Sequence, residues 1–300
     1  MHGLISGIKR MEIHDGDGLR TTVFFKGCPL KCIWCHNPES ISFNRQITVI
    51  NSKCVYCKSC EKICKNNAID YFNNKISIDF LKCNNCLECV NLCPTAAIDF
   101  YGKEYSSDEL VDYLMQDELF FKNGNGGVTL SGGECLAQGD FATEVAKKLK
   151  EKEISVYIDT CGYVNRQILK DILPYSDKFL YDIKAIDKDV HIKCTGKDNE
   201  IILSNLEFLS NNGAKIEIRY PLVVGYNDTE CIKIAEYLTK IKGIEKIKVL
   251  KYHSYAGSRY ESLGMENTLP KTETKNENIE NAVNILKSFN LNAINGEIDN

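Results

Sequence analysis

Two hydrophobic rhythms divide the 300-residue chain. Short runs rich in β-branched and aromatic residues fall at 21–26, 127–130, 155–159, 179–183, 215–220 and 246–250, and each predicts a strand. Between them apolar residues return every three or four positions, the period of a helix with one buried face. Cys231, Ile234, Ala235, Leu238 and Ile241 mark one such face, and Ile279, Ala282, Val283, Leu286 and Phe289 another. Strand-then-helix alternation predicts an α/β fold with parallel strands. Six units are fewer than the eight of a complete barrel.

Polar residues gather just after these strands, where barrel active sites are built. Ser131-Gly132-Gly133-Glu134 follows the second strand and Asp159-Thr160-Cys161-Gly162 the third. The fourth carries Asp182-Ile183-Lys184, whose alternation turns both polar side chains to one face. Arg219 and then Gly225-Tyr226-Asn227-Asp228 follow on the fifth, and Lys251-Tyr252-His253 end the sixth. One such strand end is ordinarily solvated surface. Polar groups at successive strand ends point to a shared site.

Charge excludes some partners. Lys and Arg number 37 against 41 Asp and Glu, a net charge of −4, so nothing attracts nucleic acid or an anionic membrane in bulk. No run of eighteen apolar residues is present, and residues 1–26 lack the apolar core of a secretion signal. A cytoplasmic monomer is therefore expected.

Cysteine changes the picture. Of the 15 cysteines, all but Cys135, Cys161, Cys194 and Cys231 lie between Cys28 and Cys93. Thiols of an intracellular chain stay reduced, so ligation is a better account than disulfides. Cys54, Cys57, Cys60 and Cys64 recur twenty-nine positions later as Cys83, Cys86, Cys89 and Cys93, and Ala68-Ile69-Asp70 recurs as Ala97-Ile98-Asp99. Each unit reads C-x2-C-x2-C-x3-C, which resembles the spacing of bacterial two-cluster ferredoxins, where the fourth cysteine of each run ligates the other cluster. That assigns Cys54, Cys57, Cys60 and Cys93 to one [4Fe–4S] cube and Cys83, Cys86, Cys89 and Cys64 to a second. The first unit has Lys65 where proline is usual, whereas Pro94 closes the second. Two zinc sites of four thiolates each are the competing account.

Upstream, Cys28, Cys32 and Cys35 form C-x3-C-x2-C, with Trp34 just before the third cysteine and a predicted strand just before the first. Three ligands leave one iron of a cube open to substrate. This loop resembles the signature of radical S-adenosylmethionine (SAM) enzymes. From His14 to His253 the chain resembles the glycyl radical enzyme activating enzymes, specifically the subgroup with an inserted two-cluster ferredoxin-like domain. The resemblance implies a partial (β/α)6 TIM barrel split into residues 1–49 and 101–300, with the ferredoxin-like domain over 50–100.

It further implies three [4Fe–4S] clusters and SAM, with the cluster on Cys28, Cys32 and Cys35 cleaving SAM. Gly132, Gly133 and Glu134 would meet the amino end of SAM, and Asp182, Lys184 and His253 its ribose and carboxylate. The backbone at Trp34 and His36 would lie near adenine, and Arg219 is a further contact. Asp159, Thr160 and Asp182 would hold a monovalent cation. The partner implied is a glycyl radical enzyme, whose backbone glycine loses hydrogen to a 5′-deoxyadenosyl radical. A flavodoxin or ferredoxin would supply electrons. A radical SAM enzyme with a small-molecule substrate and a ferredoxin-type electron-transfer protein are the alternatives; partner dependence tests the first and SAM binding the second. Cys135 stands where proline is common after Gly-Gly-Glu and, like Cys161, Cys194 and Cys231, is expected to pack as a small apolar residue.

Overall fold

Residues 1–297 are described by the computed structural model; positions 298–300, the end of the C-terminal barrel portion, lie outside the described residues. In chain order the strands are β1 (His2–Glu12), β2 (Arg20–Phe25), β3 (Gln46–Val49), β4 (Ile69–Phe72), β5 (Lys75–Ile78), β6 (Ile98–Tyr101), β7 (Lys103–Ser106), β8 (Gly127–Gly132), β9 (Ser155–Thr160), β10 (Lys178–Asp182), β11 (Ile216–Leu222), β12 (Ile244–Lys251) and β13 (Ala293–Asn295). Nine form one sheet in the order β13-β12-β11-β10-β9-β8-β2-β1-β7. Every pair from β2 to β13 is parallel, while β1 runs antiparallel to both β2 and β7. The two edges, β7 and β13, do not pair, so the sheet stays open.

All six predicted strands are present, as β2, β8, β9, β10, β11 and β12, with ends displaced by a residue or two. Helices cover the outer face. Gly139–Glu151 buries Phe141, Ala142, Val145, Ala146 and Leu149, and Cys231–Leu238 and Asn276–Ser288 bury the predicted faces. Ile241 and Phe289 fall past those helix ends and pack partly buried on the same core. Alternation does the rest: in β11, Ile216, Ile218 and Tyr220 join the apolar core, leaving Glu217 and Arg219 to the inner face. Among the described residues, no helix is long and apolar enough to cross a membrane.

Between β2 and β7 the chain leaves the sheet. Strand β3 pairs antiparallel with β6, from Gln46↔Tyr101 to Val49↔Ile98, and β4 pairs with β5. The 29-residue repeat is written into the backbone: Tyr56, Lys58 and Asn67 have left-handed φ of 56°, 58° and 48°, and Asn85, Leu87 and Ala96 match them at 55°, 65° and 50°. Such φ values are costly for residues with a Cβ, so their recurrence marks two copies of one thiol-presenting loop. Short helices, Ser59–Ile63 and Glu88–Leu92, follow each loop. Ile47, Val49, Ile69, Ile76, Ala97 and Ile98 pack with Cys60 and Cys89 into an apolar cluster separate from the main core.

Candidate functional site

The strand-end residues open into one cleft of about 520 Å³. Cys28, Cys32 and Cys35 line it, together with Trp34, His36, Gly132, Gly133, Asp159, Thr160, Asp182, Lys184, Arg219 and His253. Of the candidate contacts to SAM only Glu134 stands behind the wall, fully buried.

Backbone hydrogen bonds hold the cysteine loop. Cys28 N–H donates to Ile41 O, Lys31 N–H to Thr195 O and Ile33 N–H to Cys194 O, at 2.8–3.0 Å. A short helix, Gly257–Ser262, supports the other side: Tyr260 Oη donates to Cys35 O at 3.0 Å and Arg259 Nη1 to His36 O at 3.0 Å. Trp34 is buried with Cys194, Val223, Tyr252 and Tyr260. His36 lies flat against His253, ring centres 4.1 Å apart, and Tyr255 stacks on the far side of His253 at 4.6 Å.

The Ser131–Glu134 turn ties three strand ends together. Gly133 N–H donates to Phe25 O and Glu134 N–H to Gly27 O, which anchors the residue before Cys28. A Cβ on Gly132 would meet Phe25 N at 2.2 Å and one on Gly133 would meet Ser40 O at 2.4 Å, so only glycine permits this approach. The Glu134 carboxylate accepts from Thr160 Oγ1 at 2.8 and 2.9 Å, from Cys161 N–H at 2.8 Å and from Leu136 N–H at 3.1 Å. Burial raises its pKa and those donors oppose the rise.

The inner wall alternates in sign. Lys184 Nζ donates to Asp182 Oδ2 at 2.6 Å; burial disfavours the ammonium, yet Asp182 and nearby thiols raise its pKa above the usual lysine range. Arg219 Nη1 stands 3.4 Å from Asp15 and 3.6 Å from Asp159. Ser131 Oγ donates to Asp159 Oδ2 at 2.5 Å. Asp159 is pushed up to about 7, by burial first and then by Asp182 and Asp15, against the pull of Arg219. Asp159 and Asp182 thus face the cleft, while the Thr160 hydroxyl is turned to Glu134. Asp15 and Ser131 were absent from the sequence-derived contacts; their signal was position, Asp15 in a Gly-rich turn and Ser131 in the glycine motif.

The remaining cysteines divide. Cys135 and Cys231 sit in the main core, and Cys194 packs against Trp34. Cys161 instead lines the cleft wall, where it holds the pKa of Cys28 below the usual thiol value. Burial raises Cys32, and Cys35 is pushed up to about 12.

In the segment between β2 and β7, one small cavity is lined by Cys54, Cys57, Cys60 and Cys93, and another by Cys64, Cys83, Cys86 and Cys89. The structure thus brings together the two crossed sets of cysteines expected from the repeat. Among the described residues, no three Cys, His, Asp or Glu side chains form a group that could hold a single metal ion. Four thiols around each cavity are the donor chemistry that a [4Fe–4S] cube takes, one thiolate to each iron.

Residues 22–238 match the Radical SAM superfamily. The trans-4-hydroxy-L-proline dehydratase activating enzyme of Clostridioides difficile is 44% identical over 88% of each chain. The choline trimethylamine-lyase activating enzyme of Oleidesulfovibrio alaskensis is 37% identical, covering 88% of this chain and 87% of that one. The crystal structure of Streptococcus suis SuiB bound to S-adenosylmethionine shares the fold at 15% identity, with a TM-score of 0.52 over 64% of this chain and 43% of that one. Cleft, cysteine loop and relatives agree: the chain belongs to the radical SAM superfamily and, within it, to the activating enzymes of glycyl radical enzymes.

Proposed function

We propose that this activase carries three [4Fe–4S] clusters and generates the radical of a glycyl radical dehydratase of the trans-4-hydroxy-L-proline type. The partner class rests on the 44% identity to that dehydratase's activating enzyme, against 37% or less for the relatives named for lyases, decarboxylases and synthases. Cys28, Cys32 and Cys35 would hold the catalytic cluster, and residues 50–100 with their flanking strand pair would form the inserted two-cluster domain. A flavodoxin or ferredoxin is the proposed electron donor. When bound, the catalytic cluster supplies the electron that splits SAM into methionine and a 5′-deoxyadenosyl radical, which takes hydrogen from a glycine Cα.

The chain's own residues bind and orient. Gly132 and Gly133 let the main chain approach the amino end of SAM, while Lys184, held by Asp182, offers a cation to its carboxylate. The stacked pair His36 and His253 presents a flat surface at the adenine end. Asp159 and Asp182 give the sulfonium side of SAM, or a monovalent cation, a negative wall. Leu30 and Trp34, both buried beside the thiols, keep water from the reacting centre.

One observation carries this reading: three thiols and a charged, SAM-sized wall share one cleft at the strand ends of an unclosed sheet. The test is anaerobic mixing of reduced protein, SAM and the dehydratase. A glycine-centred EPR doublet is expected, with deuterium at the partner's glycine Cα appearing in 5′-deoxyadenosine. Iron should reach about twelve per chain, four for each cube. SAM consumption with conversion of a small metabolite, and no partner radical, would overturn the activase reading. Stoichiometric zinc with little iron would overturn the clusters.

A further inference from the structure

The two halves of the repeat present unlike surfaces. Around the first cysteine run, Val55 is 61% exposed, Tyr56 46% and Ile63 38%, next to the exposed Cys57. Lys53, Lys58 and Lys62 are exposed beside them. Among the described residues none of the three makes an ion pair with a carboxylate; Lys58 lies over the Tyr71 ring at 5.5 Å. Twenty-nine residues on, the positions of Val55, Tyr56, Lys58 and Lys62 are taken by Asn84, Asn85, Leu87 and Asn91. There the flanking charges are already matched: Lys82 pairs with Asp79 at 3.4 Å, and Glu88 with Lys65 at 3.1 Å. The second half exposes apolar residues too, Leu81 at 99% and Leu92 at 47%. In a chain of net charge −4, what sets the first half apart, among the described residues, is an apolar surface flanked by lysines without a carboxylate partner.

The strand register orders the two halves relative to the barrel. Strand β3 begins at Gln46, whose Oε1 accepts from the barrel's Lys26 at 2.8 Å. The second-unit cavity reaches Ile47, near that anchored end. The first-unit cavity instead reaches Ala97, beyond the far end, where Val49 pairs with Ile98. Phe80, three residues before Cys83, packs on the barrel's Gly264. No hydrogen bond or ion pair joins residues 52–67 to the barrel among the described residues.

We infer that the face formed by Lys53, Val55, Tyr56, Lys58 and Lys62 is the docking surface for an acidic one-electron carrier protein, and that electrons enter through the cluster on Cys54, Cys57, Cys60 and Cys93. This inference rests on the two-cluster reading of the insertion. An apolar contact within a charged rim is the ordinary anatomy of a transient interface, and the charge steers encounter. Tyr56 supplies the apolar anchor and the lysines meet the carrier's carboxylates. Redox balance is simple: the reduced carrier loses one electron, the exposed cluster gains it, and no bond is made or broken.

The test uses the full-length, cluster-loaded protein with the exposed residues changed together, Lys53→Glu, Lys58→Glu and Lys62→Glu. Iron content and cluster EPR are measured first. A parent chain with only four irons overturns the two-cluster reading itself. With all irons retained, the variant should bind an acidic flavodoxin at least about tenfold more weakly, with a flatter salt dependence. Its clusters should be reduced by that flavodoxin correspondingly more slowly, while reduction and SAM cleavage with dithionite stay unchanged. Asn84→Glu with Asn91→Glu, on the second half, should leave flavodoxin binding unchanged. Flavodoxin binding and reduction at parental rates in the triple variant would overturn the proposal. So would an altered cluster potential with unaltered binding, or weakened binding of the glycyl radical partner in place of flavodoxin.

Discussion

Single residues in the cleft are tuned by what surrounds them, and Asp159 shows the consequence most directly. Burial, then Asp182 and Asp15, lift its carboxyl from 3.8 to about 7, although Arg219 pulls the other way. A carboxyl whose folded pKa lies above its unfolded value binds its proton more tightly in the fold. Its contribution is therefore fully present below the unfolded pKa and is lost as pH climbs towards 7. We expect the melting temperature of the anaerobic, SAM-free protein to carry a falling component between about pH 4 and pH 7. Asp159→Asn should remove that component and leave the rest of the profile in place. An unchanged pH profile in the variant would mean that Asp159 stays ionised throughout. The same titration gives a cation placed beside Asp159 a tighter hold above pH 7 than below it.

At the scale of elements, the ends of β10 and β11 depend on a residue that the sequence pattern left as one polar strand-end position among several. Asn227 is fully buried; its Nδ2 donates to Lys184 O and Pro221 O at 2.8 Å each, and its Oδ1 accepts from Val223 N–H at 2.8 Å. Tyr220 Oη also donates to the Asn227 carbonyl at 2.7 Å. Asn227→Ala leaves two carbonyls and one N–H without partners, at a cost of about 2–4 kcal/mol. The expected outcome is a melting temperature lower by about 5–10 °C, together with weaker SAM binding because Lys184 is less well held. Unaltered SAM affinity in a destabilised variant would separate Asn227 from the site.

The same scale shows what the sequence could reveal. Strands β2 and β8 to β12 were legible because their runs are apolar on the helix-covered face. Strand β1 was not, since only Gly3 and Ile5 are buried and its second half reads Lys9-Arg10-Met11-Glu12. The four-residue strands of the insertion are too short for a period to show. Cysteine spacing made the thiol sets legible. The turn of Glu134 away from the cleft was not, because it follows from donors on β9 that only the fold brings near.

For the whole molecule, the insertion and the barrel are joined at closely spaced points. Gln46 and Tyr101 are register partners, so the chain enters and leaves the insertion side by side, about 5 Å apart. The insertion's apolar cluster is separate from the core around the sheet. Its polar and ring contacts with the barrel are few: Lys26 to Gln46, Thr48 Oγ1 to Ser262 O at 3.4 Å, Lys75 to Glu261 at 3.9 Å, and Phe80 on Gly264. Replacing residues 46–101 by a short Gly-Ser link from Arg45 to Gly102 should therefore leave a folded barrel with its cysteine loop intact. Such a chain should hold about four irons. It should bind SAM and cleave it with dithionite, because every cleft residue lies outside the excised segment. Electron transfer from a flavodoxin should fall sharply, since the lysine-ringed face leaves with the insertion. Flavodoxin-driven SAM cleavage at the parental rate would show that electrons reach the catalytic cluster directly. Loss of SAM binding despite four irons would show that the insertion shapes the cleft through the Gly257–Ser262 helix, which touches both Thr48 and the Cys35 carbonyl.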